Sequence, residues 1–208
     1  MKRVIVLSLL CLISTSLFAQ FMGRVPGYMA IGVDFINTSH NFTTGNGTGT
    51  EDINVSGIAA GVTSFSGSGD FGFYAKSVFG LPISGTQVID KTTENTIEFG
   101  SSGINVIIDL ICGVGYKIEM NYVIIIGGPL HFSGLATDSD DNIFLSYTIG
   151  PGIAANFIYP IVEGLYLNVS ASVGYDFWEI MHIPDLPSDA DYAGGLTWSA
   201  GAGLAFKM

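Results

Sequence analysis

The chain has 208 residues, of which 48% are hydrophobic and 12% charged, about half the charged fraction of roughly 25% usual in a soluble domain. Eighteen Asp and Glu stand against seven Lys and Arg, a formal net charge of -11, so there is no basic face for phosphates and nucleic acid is excluded as a partner. The length suits one domain. In chain order, the first element is the apolar run 4–17, preceded by Lys2 and Arg3 and followed by Phe18 and Ala19. It reads as a cleaved export signal over residues 1–19, leaving 20–208 as a single domain. The run is shorter than the about 20 apolar residues a membrane helix needs. Cys11 leaves with the signal, so Cys112 has no partner in the mature chain for an intrachain disulfide.

After residue 20 no stretch stays apolar for 18 residues; the best candidate, 104–114, is broken by Asp109. Instead, eight segments alternate large apolar with small or polar side chains, at the period of 2 that strands require. They cover roughly 26–37, 54–65, 70–80, 102–116, 119–132, 143–157, 165–178 and 195–206. Each reaches the ~9–11 residues of a tilted bilayer-spanning strand. In the seventh, Leu165, Leu167, Val169, Ala171, Val173, Tyr175 and Phe177 oppose Tyr166, Asn168, Ser170, Ser172, Gly174 and Asp176. In the eighth, Leu196, Trp198, Ala200, Ala202, Leu204 and Phe206 oppose Thr197, Ser199, Gly201, Gly203 and Ala205. The second segment is mostly Ser, Gly and Ala, and the sixth contains Pro151, which removes a ladder donor.

Connections after the second, fourth and sixth segments are short, and those after the first, third, fifth and seventh are long and polar. An up-and-down antiparallel meander follows, with both termini on the short-turn side. The long connections hold twelve of the 18 acids, against the single base Lys91. Alternation alone does not say which face points out. The polar face here is Gly, Ser, Ala and Asn, which suits a narrow lumen, where small residues leave room for a few large ones. Aromatics on the apolar face gather toward both ends: Phe35, Phe79, Phe132, Phe177 and Trp198 on the long-loop side, Phe65, Phe71, Tyr116, Phe157, Tyr159 and Phe206 on the other. Two such girdles are expected where a membrane barrel crosses its interfaces. The expected fold is therefore all-β, an eight-stranded antiparallel up-and-down transmembrane β-barrel; a soluble barrel with the apolar face inside is the competing arrangement.

With this signal, strand number, loop asymmetry and the near-terminal Leu204-Ala205-Phe206, the chain resembles the small eight-stranded outer-membrane barrels of Gram-negative-type bacteria, the group containing the OmpA transmembrane domain, OmpX and OmpW. It departs from them in ending on Lys207 and Met208 after the aromatic residue. The resemblance implies an outer-membrane location, short turns in the periplasm, acidic loops outside, and outer-membrane lipid and the barrel-assembly machinery as partners.

Parity places Asp34, Lys76, Asn105, Asp109, Asn121 and Asp176 in the lumen, with Asn156, Asn168 and His131. Lys76 and Asp109 are expected to pair, since either would be costly to bury alone. His131-Phe132-Ser133 is similar to the His-x-Ser of outer-membrane lipid A deacylases, which implies a base and a nucleophile, but the register points both residues inward. Residues 138–142 begin like a calcium loop, yet Ile143 stands where the glycine is required and Ile149 where the closing glutamate is. No cofactor or metal site is expected. The leading functional expectation is a non-enzymatic barrel giving limited passage to small or hydrophobic solutes. The alternative is a surface-exposed adhesin, ligand-binding or structural barrel acting through its acidic loops, with acyl hydrolysis at His131 and Ser133 a minor third.

Overall fold

Strands form where the sequence alternates, and they run further than the alternation in hydropathy does. The computed structural model describes residues 26–44, 48–97, 99, 105–139, 142–183 and 191–208; the segment 1–19, expected to be an export signal, lies outside them. Among the described residues there are ten strands: β1 (Gly27–Thr44), β2 (Gly49–Ser66), β3 (Phe71–Ile89), β4 (Thr93–Thr96), β5 (Val106–Glu119), β6 (Val123–Ser139), β7 (Asn142–Val162), β8 (Leu165–Asp176), β9 (Trp178–Ile183) and β10 (Asp191–Lys207). Antiparallel pairing runs β1–β2, β2–β3, β3–β5, β5–β6, β6–β7, β7–β8, β8–β10 and back from β10 to β1. The ring closes, so eight staves carry the wall. The two short strands are additions at the long-loop end, β4 folding back on β3 and β9 continuing the line of β8 against β7.

The apolar face points out. On β8, Val169 is 46% exposed while its neighbour Ser170 is 4%; on β10, Leu204 is 44% exposed and Ser199 1%. Such a wall would be untenable in water, and it matches hydrocarbon. Outer aromatics stack in pairs near both edges of this band: Phe35 with Trp198 at 5.5 Å and Phe177 with Trp178 at 4.6 Å above, Phe71 with Tyr116 at 4.9 Å and Tyr122 with Phe157 at 5.1 Å below. Tyr159 and Phe206 are also exposed at the lower edge, and Phe79 and Phe132 are half-buried at the upper one. Trp198 and Phe206 are eight residues apart on β10. At ~3.3 Å per residue and a tilt near 40°, that is a band about 20 Å tall, close to the ~25 Å apolar belt of outer-membrane barrels.

Above Trp198, β10 continues for seven residues to Asp191, which adds roughly 17 Å of wall at the same rise and tilt. Most of the long polar connections expected from the sequence are thus strand: β1 reaches Thr44, β2 starts at Gly49, β3 reaches Ile89 and β6 reaches Ser139. Above the apolar band the outer face is bathed in water, so both faces can be polar and the hydropathy signal vanishes. The alternation in burial does not: Ile36, Thr38, His40 and Phe42 all point inward along β1.

One further expectation is corrected. Phe65 is not part of a girdle but fully buried in the lumen, because β2 directs Thr63 and Phe65 inward and Val62 outward. The second segment, with little apolar signal, is a full strand of 18 residues. Pro151 is accommodated within β7 where the β6–β7 ladder skips Gly128 and Pro129, so its missing donor falls beside an existing interruption.

The lumen is filled in layers. At the short-turn end Tyr28, Phe65, Tyr74, Ile111, Val123, Ile125 and Ile158 form an apolar floor. Toward the long-loop end Ile36, Phe42, Ile53, Val55, Val78, Ile107 and Leu135 form a second apolar cluster, with Ile97, Phe99 and Tyr192 packed against it. Glycine makes this filling feasible. A Cβ at Gly127 would run into the Tyr74 ring, one at Gly174 into the His131 ring, and one at Gly61 or Gly201 into the Asp34 carboxylate. Cys112 is free and half-buried.

Candidate functional site: the charged layer of the lumen

Alternation couples this layer to the upper girdle. Asp34 precedes Phe35, His131 precedes Phe132, Asp176 precedes Phe177 and Ser199 follows Trp198, so each outward aromatic has an inward polar neighbour. The charges therefore gather at the height of the upper girdle. Lys76 starts lower on β3 and spans the lumen to Asp34 on β1, Nζ to Oδ1 2.9 Å, the two residues 1% and 3% exposed. Its ammonium also donates to Ser199 at 2.8 Å and Ser172 at 3.4 Å, and those two hydroxyls lie 2.6 Å apart. Ser170 donates to Asp34 at 3.3 Å.

His131 sits between two carboxylates. Nε2 is 2.6 Å from Asp109 on β5, and Nδ1 is 2.6 Å from Asp176 on β8. Thr148 donates to the other oxygen of Asp176 at 2.8 Å, and Ser172 to that of Asp109 at 3.4 Å. Every carboxylate of the layer is thereby paired and hydrogen-bonded, as burial requires. Below it, Tyr74 donates to Asn156 at 2.7 Å and Asn156 to Asn168 at 2.9 Å. Above it, a chain of short contacts runs from Ser133 through Thr197 and Thr38 to His40, then to Ser146, which donates to Glu179 at 2.9 Å. At the short-turn rim Lys117 pairs with Glu119 at 3.1 Å and its ammonium lies 5.8 Å from the Phe65 ring centroid. The hydrogen bond from Lys117 is the main cause holding the Glu119 carboxyl below its ordinary range.

The structure brings Asp34, Lys76, Asp109, His131 and Asp176 together, and buries Asn156 and Asn168 beneath them. It rearranges the expected pairing: Lys76 bridges to Asp34 instead of Asp109, and Asp109 takes His131, with Ser172 linking the two pairs. Lys76 is long enough to cross a narrow lumen, so adjacency of staves does not decide its partner. Asn121 is not in the lumen; it is exposed in the β5–β6 turn, because β5 extends to Glu119. Asn105 stands half-buried one residue before β5. Ser133 is bonded to Thr38 and Thr197, while both ring nitrogens of His131 meet carboxylates, so neither is placed to take the Ser133 proton. The part of the 138–142 segment at Asp140 and Asp141 lies outside the described residues, as does Asp185. The linking hydroxyls Ser172, Ser199 and Thr148 were not singled out from sequence; parity placed the two serines inward, but nothing local marks them as partners of charge.

No family model and no curated protein matches the chain. Among solved structures, the outer membrane protein OprG from Pseudomonas aeruginosa is similar at 12% identity, over 88% of this chain and 97% of that one, with a TM-score of 0.50. Neisserial surface protein A follows at 11% identity, 86% and 97% coverage and a TM-score of 0.49. The attachment invasion locus protein Ail of Yersinia pestis gives 11%, 86%, 99% and 0.39. At such identities the likeness concerns the fold: this chain has the fold of the small outer-membrane β-barrels.

Proposed function

We propose that the protein is an integral outer-membrane barrel with a closed lumen, acting without enzymatic chemistry through its outer end as a surface-exposed binding protein. The observation that carries this reading is the filled axis: an apolar floor, a fully hydrogen-bonded charged layer and a second apolar cluster above it. Eight-stranded lumens are just wide enough for side chains to fill, and here they do. Of the two main expectations from sequence, the packing favours surface recognition over solute passage. The wall standing about 17 Å above the girdle carries Asp52, Asp90, Glu94, Glu179 and Asp191, with Lys91 as its base among the described residues. A partner complementary to that rim is positively charged, and charge of this kind steers encounter. Outer-membrane lipid surrounds the band, and the barrel-assembly machinery inserts it with short turns in the periplasm. Planar-bilayer recording of the purified protein tests the reading. No steady current is expected; steady ohmic current would instead support passage of small or hydrophobic solutes.

A further inference from the structure

We propose that Asp109, His131 and Asp176 form a proton-operated lock that ties β5, β6 and β8 together across the lumen. A neutral imidazole has one N–H and one lone pair, so only the doubly protonated ring donates to both carboxylates, each 2.6 Å from a ring nitrogen. Removing one ring proton turns one of these hydrogen bonds into a lone pair facing a carboxylate, at the same distance and in a site where all three side chains are at most 2% exposed. Low local dielectric makes such a contact repulsive. The ring is closely confined: a Cβ at Gly174 would collide with it and one at Gly152 with the His131 Cβ, so these glycine backbones pack directly against the side chain. Repulsion must therefore be relieved by the staves themselves.

The charges around the ring act in the same direction. With His131 charged, the layer sets Lys76 and His131 against Asp34, Asp109 and Asp176; without the ring proton Lys76 alone faces three carboxylates. The other titratable groups packed toward the layer are Tyr74 on β3 below, and His40 on β1, Glu179 on β9 and Tyr192 on β10 above. β7 contributes Thr148 and Asn156 and β2 contributes Thr63, all uncharged.

The lock is tested by the midpoint temperature of the folded-to-unfolded gel shift in detergent, followed from pH 6 to pH 10. The wild type is expected to lose about 5 °C or more on the alkaline side. In Asp176→Asn the amide N–H donates to the lone pair of a neutral His131, so the bridge stands without the extra proton and the midpoint stays level. A level wild-type profile, or a parallel fall in Asp176→Asn, overturns the proposal. Nitrogen-15 spectra of a His40→Gln/His182→Gln chain, in which His131 is the sole histidine, give a second reading that leaves Asp109, His131 and Asp176 all in place. Two protonated ring nitrogens at pH 7 support the lock, and one N–H with one lone pair overturns it.

Discussion

Replacing Lys76 by Met keeps the length of the side chain and removes its charge. Asp34, 3% exposed, then keeps the Ser170 hydroxyl at 3.3 Å but loses its counter-ion. The two serines that Lys76 also contacts still have each other at 2.6 Å, so the loss falls mainly on Asp34. Breaking a buried pair by removing one partner costs about 3–5 kcal/mol. For a chain of this size ~2–4 °C per kcal/mol then gives a fall of roughly 6–20 °C in the unfolding midpoint. Asp34→Asn in the same chain keeps the shape that Gly61 and Gly201 leave room for and removes the orphaned charge, so the double variant should recover to within about 2 kcal/mol of wild type. The assay is the gel shift on heating in detergent, with loss of β-sheet circular dichroism as a second probe. An unchanged midpoint in Lys76→Met, or a double variant no more stable than the single one, would refute the reasoning.

Three further outcomes follow from the same architecture. Val169→Lys puts an ammonium on the hydrocarbon side of β8, where it costs about 2–4 kcal/mol near mid-bilayer; urea titration in vesicles should show it, while Ser170→Ala on the neighbouring lumen position, which loses only the 3.3 Å contact with Asp34, costs about 1.5 kcal/mol. Gly174→Val drives a side chain into the His131 ring and should abolish the folded gel band. Ser133→Ala removes a hydroxyl held by Thr38 and Thr197, so mass spectrometry of lipid A from cells with and without the variant should show identical acyl patterns; a difference would revive the hydrolase reading.

The sequence was most legible where one face meets hydrocarbon. Along β8, and along β10 from Gly195 onward, each inward Ser, Asn or Gly is followed by an outward apolar residue, and the stave assignment follows from that alone. It was least legible where that contrast disappears. β2 directs Ile53, Val55, Ala59 and Phe65 inward as well as Ile58 and Val62 outward, so apolar character no longer distinguishes its faces and Phe65 was assigned to the wrong one. Above the girdle, residues such as Thr38, His40 and Ser146 are buried although they are polar, and the strands there are recognisable only from pairing. Parity identified the inward ionisable side chains, but their partners depend on reach across the lumen, which is why Lys76 meets Asp34 and why the linking serines passed unmarked.

The central claim is that apolar side chains face lipid while small and polar ones close the axis. Nitroxide labels placed singly along 167–172 in a Cys112→Ser chain, reconstituted in vesicles, test it most directly. Positions 167, 169 and 171 should show high collision with oxygen and low collision with a water-soluble nickel complex, while 168, 170 and 172 show little of either. The reverse phase, with 168, 170 and 172 the oxygen-accessible set, would contradict the account.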